Sequence, residues 1–204
     1  MRTLSILLLP CCFLLGCSSY QVVRIPVRDA ELYPVSQTVG EISVGIDAIE
    51  NRERAARYFG IDLLERGIMP VVITVSNHGK SRAEVNPADI LLRQGNVVID
   101  PLPLEHIINK VNDWRTSEAT ATQARHYLRN LSFQDRILMA GDTYRGVLFF
   151  PIGHQPDPPA NGFAVLDVFA GHLLKLTVVV TALDEQSRHR FGPFTLTQPY
   201  FWMD

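Results

Sequence analysis

The sequence predicts a mainly-β domain, an antiparallel sandwich of about seven strands with helices as excursions, and three observations predict it. Apolar runs of strand length recur from residue 41 to residue 197, separated by Gly, Pro, Asn and Asp turn signals. Helical spacing is confined to about 51–65 and 104–139. All three cysteines (Cys11, Cys12 and Cys17) lie in the first 17 residues, so packing rather than disulfides must hold the fold. An α+β arrangement is the alternative. With 204 residues, 47% of them hydrophobic and 20% charged, the chain has room for one well-filled core.

The elements follow in order. Residues 1–16 read as a cleavable leader: Arg2 is the positive n-region and Leu4–Leu15 the apolar h-region. That run is shorter than the roughly 20 residues a membrane-spanning helix needs. Residues 17–40 read as a tether running into an edge strand, since Pro26 and Pro34 forbid a helix through them. Residues 41–204 form the domain. Ile42, Val44 and Ile46 alternate as a half-buried strand. Asn51 is placed to cap a helix reaching about Glu65, with Ala55, Phe59 and Leu63 on one face and Gly67 at its stop.

Ile68–Ser76 is nearly all apolar and β-branched, the pattern of a strand covered on both faces. Asn77–Lys80 is its turn, with the Asn77 amide placed to bond backbone groups. Ala88–Arg93 and Asn96–Asp100 flank Gln94-Gly95 as a tight hairpin, closed by Pro101 and Pro103. In 104–139, Leu104, Ile107, Ile108 and Val111 have helical spacing, as do Ala124, Tyr127, Leu128 and Leu131; the polar run 116–122 reads as a loop between them. Trp114 reads as core. Gly141-Asp142 is a turn, Thr143–Phe150 a strand and 151–162 a proline-rich loop. Phe163–Phe169, Leu173–Leu183 and Phe191–Thr197 are further strands, with Ser187–Arg190 in the last turn.

The leader ends in Leu14-Leu15-Gly16-Cys17, which resembles the lipobox of bacterial lipoproteins. The resemblance implies that the Cys17 thiol becomes a thioether to diacylglycerol, that cleavage follows Gly16, and that the new α-amino group is acylated. Each buried methylene contributes about 0.8 kcal/mol, so two or three chains anchor stably. Ser18 after the cysteine implies the outer membrane, facing the periplasm, under the enterobacterial sorting rule. Further along, YFGIDLLERGIMPVVITVSNHGKS and AGDTYRGVLFFP resemble segments of immunoglobulin-like bacterial lipoproteins, with Pro70–Asn77 and Gly141–Pro151 as two packed strands. This likeness covers roughly 41–184 and implies fold and envelope location only.

No phosphate loop, dinucleotide fingerprint, zinc-protease helix or nucleophile elbow is present. The six histidines have no partners at metal-ligand spacing, and His78 and His154 read as solvated turn residues. Asp135 and Asp142 read as helix-end and turn residues rather than as a catalytic pair. The formal charge is −2; losing Arg2 with the leader leaves 18 basic against 21 acidic residues, or −3, without the basic stripe that nucleic acid requires. No enzyme, cofactor or metal is expected. The expected function is that of a lipid-anchored binding or assembly module for an envelope protein partner. Sheet edges, the 104–139 insertion and the terminal aromatics Tyr200, Phe201 and Trp202 are its candidate contacts. The alternative is a carrier of lipid or another small apolar ligand in a cleft under the insertion.

Overall fold

A computed structural model describes residues 21–113, 118–152 and 173–197. The predicted strand Phe163–Phe169 and the core assignment of Trp114 lie outside them. Nine strands are described: β1 (Val35–Val39), β2 (Ile42–Ala48), β3 (Ile68–Asn77), β4 (Ala83–Gln94), β5 (Val97–Ile99), β6 (Arg136–Leu138), β7 (Thr143–Pro151), β8 (Leu173–Ala182) and β9 (Ser187–Thr197). They make two antiparallel sheets, one ordered β1-β2-β3-β7 and the other β5-β4-β8-β9, with β6 also pairing β4. With β2, β3 and β7 taken as strands A, B and E, and β5, β4, β8 and β9 as C′, C, F and G, the pairing is immunoglobulin-like. Helices α2 (Leu104–Asn112) and α3 (Glu118–Leu131), followed by β6, occupy the connection from C′ to E.

Every residue of β3 is buried, because both faces of the first sheet are covered. Val44, Ile46, Ile73, Val75 and Leu148 share the face turned to the second sheet, where Val85, Leu92, Leu176, Val180 and Phe191 meet them in one core. The opposite face carries Gly45, Thr74, Val147 and Phe149. There α1 (Arg52–Phe59) packs Phe59 edge-on against Phe149 at 5.7 Å, and a 3-10 turn (Ala30–Leu32) lies over Gly45. Gly45 is obligatory: a Cβ there would sit 2.8 Å from the Tyr33 ring and closer still to the Ala30 carbonyl.

The edges are closed by specific bonds. At the free edge of β7, Leu102 N–H donates to the Phe149 carbonyl at 2.6 Å and Phe133 N–H to the Val147 carbonyl at 2.9 Å. Gly146 admits this approach, since a Cβ would stand 2.5 Å from Phe133 Cα. Where the two sheets meet, Gly192 N–H of β9 donates to Gln37 Oε1 of β1 at 2.6 Å.

Several boundaries differ from those the sequence predicts. The first helix ends at Phe59, not near Glu65, because Gly60 adopts φ 71° and its N–H bonds the Ala56 carbonyl. Leu63 remains buried, but in a turn capped by Asp62 Oδ1, which accepts from Leu64 and Glu65 N–H. β4 starts at Ala83 rather than Ala88. Its register slips between Val85 and Ile90 around Asn86-Pro87, where Pro87 has no N–H and Ala88 N–H turns to Asn86 Oδ1. The hairpin turn is Gly95-Asn96, with Gln94 still paired to Val97. Of the polar run 116–122, residues from Glu118 on are helical, with Thr120 and Ala124 on the buried face above Leu128 and Leu131. Ser187–Arg190 are strand, not turn: Gln186 at φ 52° completes the reversal, and Arg188 already pairs Thr181.

Candidate docking surfaces

The lipobox residues Leu14, Leu15, Gly16 and Cys17 and the terminal Tyr200, Phe201 and Trp202 lie outside the described residues. The structure does fix what their neighbours do. The predicted tether is bound to the domain almost from its first described residue. Val23 N–H donates to the Arg57 carbonyl at 3.0 Å, and the Arg145 guanidinium donates to the Ile25 carbonyl. Ile25 is buried, and Ala30 N–H donates to Ser76 Oγ at 3.0 Å. Glu31 accepts from Ser43 Oγ at 2.8 Å, and His78 Nε2 stands 3.4 Å from Asp29 and 3.7 Å from Glu31. His78, which the sequence places in a solvated turn, therefore lies against this segment.

A second surface is the broken edge of the other sheet. β6 pairs the start of β4 (Ala83–Val85) and β5 pairs its end (Leu92–Gln94). Alternation sends Leu138 inward and Ile137 outward. Val97, Val98, Ile137 and, just past β6, Met139 are between 41% and 64% exposed, so both ends of this edge carry exposed apolar side chains.

The insertion expected to offer a contact surface packs its apolar side inward and turns a polar side outward. Ile107, Ile108, Val111, Ala124, Leu128 and Leu131 are all buried in the common core. The outward faces carry Glu105, His106, Asn109, Arg125, His126 and Arg129, with Arg129 paired to Glu105 at 3.0 Å.

Asn77 and Asp142, both singled out by sequence, have structural partners. Asn77 is 2% exposed. Its Nδ2 donates to the carbonyls of Ser81 (2.8 Å), Met139 (3.1 Å) and Leu138 (3.3 Å), while Oδ1 accepts from Gly79 N–H at 3.1 Å. Its backbone pairs Asp142 and Gly141. It thus ties two turns together, as its position predicts. Asp142 Oδ2 accepts from Met139 N–H at 2.8 Å, a turn role.

Perturbed groups have equally local causes. Burial pushes the Glu50 carboxyl up, offset by the bond it accepts from Thr197 N–H at 3.2 Å. Arg82 holds the Asp184 carboxyl down through side-chain and backbone bonds. Burial raises the phenols of Tyr127 and Tyr144. Among the described residues no group of three His, Cys, Asp or Glu is arranged to hold a metal, and no helix is long and apolar enough to cross a membrane.

No family model and no curated protein matches the chain. Among solved structures, the ycdA protein of Bacillus subtilis, a candidate lipoprotein, aligns at 12% identity with a TM-score of 0.41. The alignment covers 80% of this chain but only 38% of that one, so this chain spans well under half of the ycdA protein. The yjhA protein of Bacillus subtilis aligns at 11% identity and a TM-score of 0.40, over 78% of this chain and 95% of its own. Likenesses at these values carry no argument about function.

Proposed function

We propose that this protein is a lipid-anchored envelope lipoprotein whose sandwich is a non-enzymatic binding module. It presents the β5/β6 edge to a protein partner. The observation that carries the partner surface is the open edge of β4, where β5 and β6 are each paired on one side only and leave Val97, Val98 and Ile137 exposed at its two ends. Such edges accept an added strand or an apolar contact from another chain. The lipobox Leu14-Leu15-Gly16-Cys17 supports acylation at Cys17, and Ser18 supports the periplasmic face of the outer membrane. Confinement to a membrane raises the effective concentration near a partner fixed in the same envelope. The terminal aromatics Tyr200, Phe201 and Trp202 are of the residue types that anchor such contacts. A binding role fits the titratable groups, whose shifts all trace to burial or to pairing within the fold.

Photo-cross-linking side chains placed at Val98 and at Ile137, in cells, test the reading. The same discrete adduct is expected from both positions, absent from Asn109 on the polar helical face and abolished by Val97→Asp. Adducts that form equally from Asn109, or from none of the three, overturn it.

A further inference from the structure

We infer that the face where the chain enters the domain rests on the bilayer, binding anionic phospholipid headgroups through Arg24, Arg28 and Arg57 with Val23 and Val27 dipping between them. The inference rests on acylation at Cys17. From Cys17 to the bond at Val23 N–H is six residues, a reach of at most about 20 Å at roughly 3.4 Å per residue. A domain held that closely must present some face to the membrane, and the face beside the tether is the one within reach.

That face suits an anionic bilayer. Ile25 is buried and pins the segment, while its neighbours stay exposed: Val23 is 51% and Val27 59% exposed, and Arg24 and Arg28 are exposed as well. Arg57, exposed at the end of α1, supplies the carbonyl that holds Val23. The other cations of α1 are neutralised, Arg52 by Asp62 and Glu65 and Arg54 by Asp47. The carboxylates that follow on the segment, Asp29 and Glu31, face His78 and Ser43. A chain whose mature charge is −3 thus gathers three arginines and two exposed valines where its anchor leaves it. Basic residues near an anionic surface contribute about 1 kcal/mol each, roughly fivefold in the docked population, so three contribute about 100-fold.

Cys17 is the only cysteine of the mature chain, and in the acylated protein its thiol is blocked, so Val27→Cys gives a unique site for an environment-sensitive fluorophore. Acylated protein, verified by mass spectrometry, is reconstituted into vesicles of phosphatidylcholine alone or with about one third phosphatidylglycerol. In the anionic vesicles the probe at position 27 is expected to shift to the blue and to lose most of its quenching by aqueous acrylamide. A probe introduced by Asn109→Cys stays exposed, and Arg24→Glu with Arg28→Glu returns the first probe to its exposed signal. Acylated protein whose position 27 stays as exposed as position 109 in both vesicles overturns the inference while leaving the anchor intact. Protein that carries no acyl chain and stays in solution with anionic vesicles overturns both.

Discussion

Replacing Asn77 separates its role as a structural tie from any other use of a buried amide. Asn77→Ala removes a donor from the Ser81 and Met139 carbonyls, a weaker contact at Leu138, and the acceptor of Gly79 N–H. At about 0.5–1.5 kcal/mol per bond, and with backbone groups left unpaired, the expected cost is about 2–4 kcal/mol. Asn77→Asp keeps the shape but turns a carboxylate oxygen toward the same carbonyls at a site 2% exposed, so at neutral pH it costs more, about 3–5 kcal/mol. The pH dependence carries the sign. In the folded state the introduced carboxyl is pushed above its unfolded value of about 3.9 by burial and by the carbonyls. Its penalty is therefore absent below that unfolded value and grows as pH rises to the folded one. Urea unfolding at pH 4 and pH 7 reads both effects as midpoint shifts at constant slope. Asn77→Asp should recover part of its loss at pH 4, and Asn77→Ala should not. Equal losses for the two variants at both pH values would refute the assignment of that amide as a donor to three carbonyls.

Two further predictions concern the edges. Gly146→Ala forces Phe133 away from β7 and strains its bond to the Val147 carbonyl, and should destabilise by about 1–3 kcal/mol in urea unfolding. Gly95→Ala, where a Cβ meets nothing within 4 Å, should cost only the left-handed backbone term of about 1–2 kcal/mol. At the β8–β9 turn, Arg82 holds the Asp184 carboxyl below its ordinary range. The stability this pair contributes is present above the unfolded carboxylate value and is lost as pH falls through the folded one. Arg82→Ala should therefore flatten the acid side of a plot of thermal midpoint against pH; an unchanged acid limb would contradict the pairing.

Much of the fold is legible in the sequence where one physical demand dominates. Ile68–Ser76 reads as a doubly covered strand because it is nearly all apolar and β-branched, and Asn77 reads as a turn tie because a polar residue closing such a run must satisfy its amide. The misreadings come where a core contact outlasts its element. Leu63 keeps helical spacing with Phe59 and stays buried, yet the helix has already stopped at Gly60. Asn86-Pro87 hides the first half of β4 because a proline argues against strand, while the register slip accommodates it there. The three residues of β6 are too few to show a period.

The candidate surfaces were less legible. Val98 and Ile137 are exposed because of which neighbour each strand pairs, a property of topology and not of composition. The docking of residues 23–33 did leave a signal in Gly45. A glycine inside an alternating strand marks a close backbone approach, and here the approaching chain is the predicted tether itself.

Both proposed surfaces depend on the proposed acylation of Cys17, since a short tether there would hold them in the envelope. Mass spectrometry of the N-terminal peptide of the protein isolated from its own cell membranes tests this most directly. The predicted result is a chain beginning at Cys17, carrying diacylglycerol on sulfur and an acyl chain on its amino group. A mature terminus at any other residue, or an unmodified Cys17, would contradict the account.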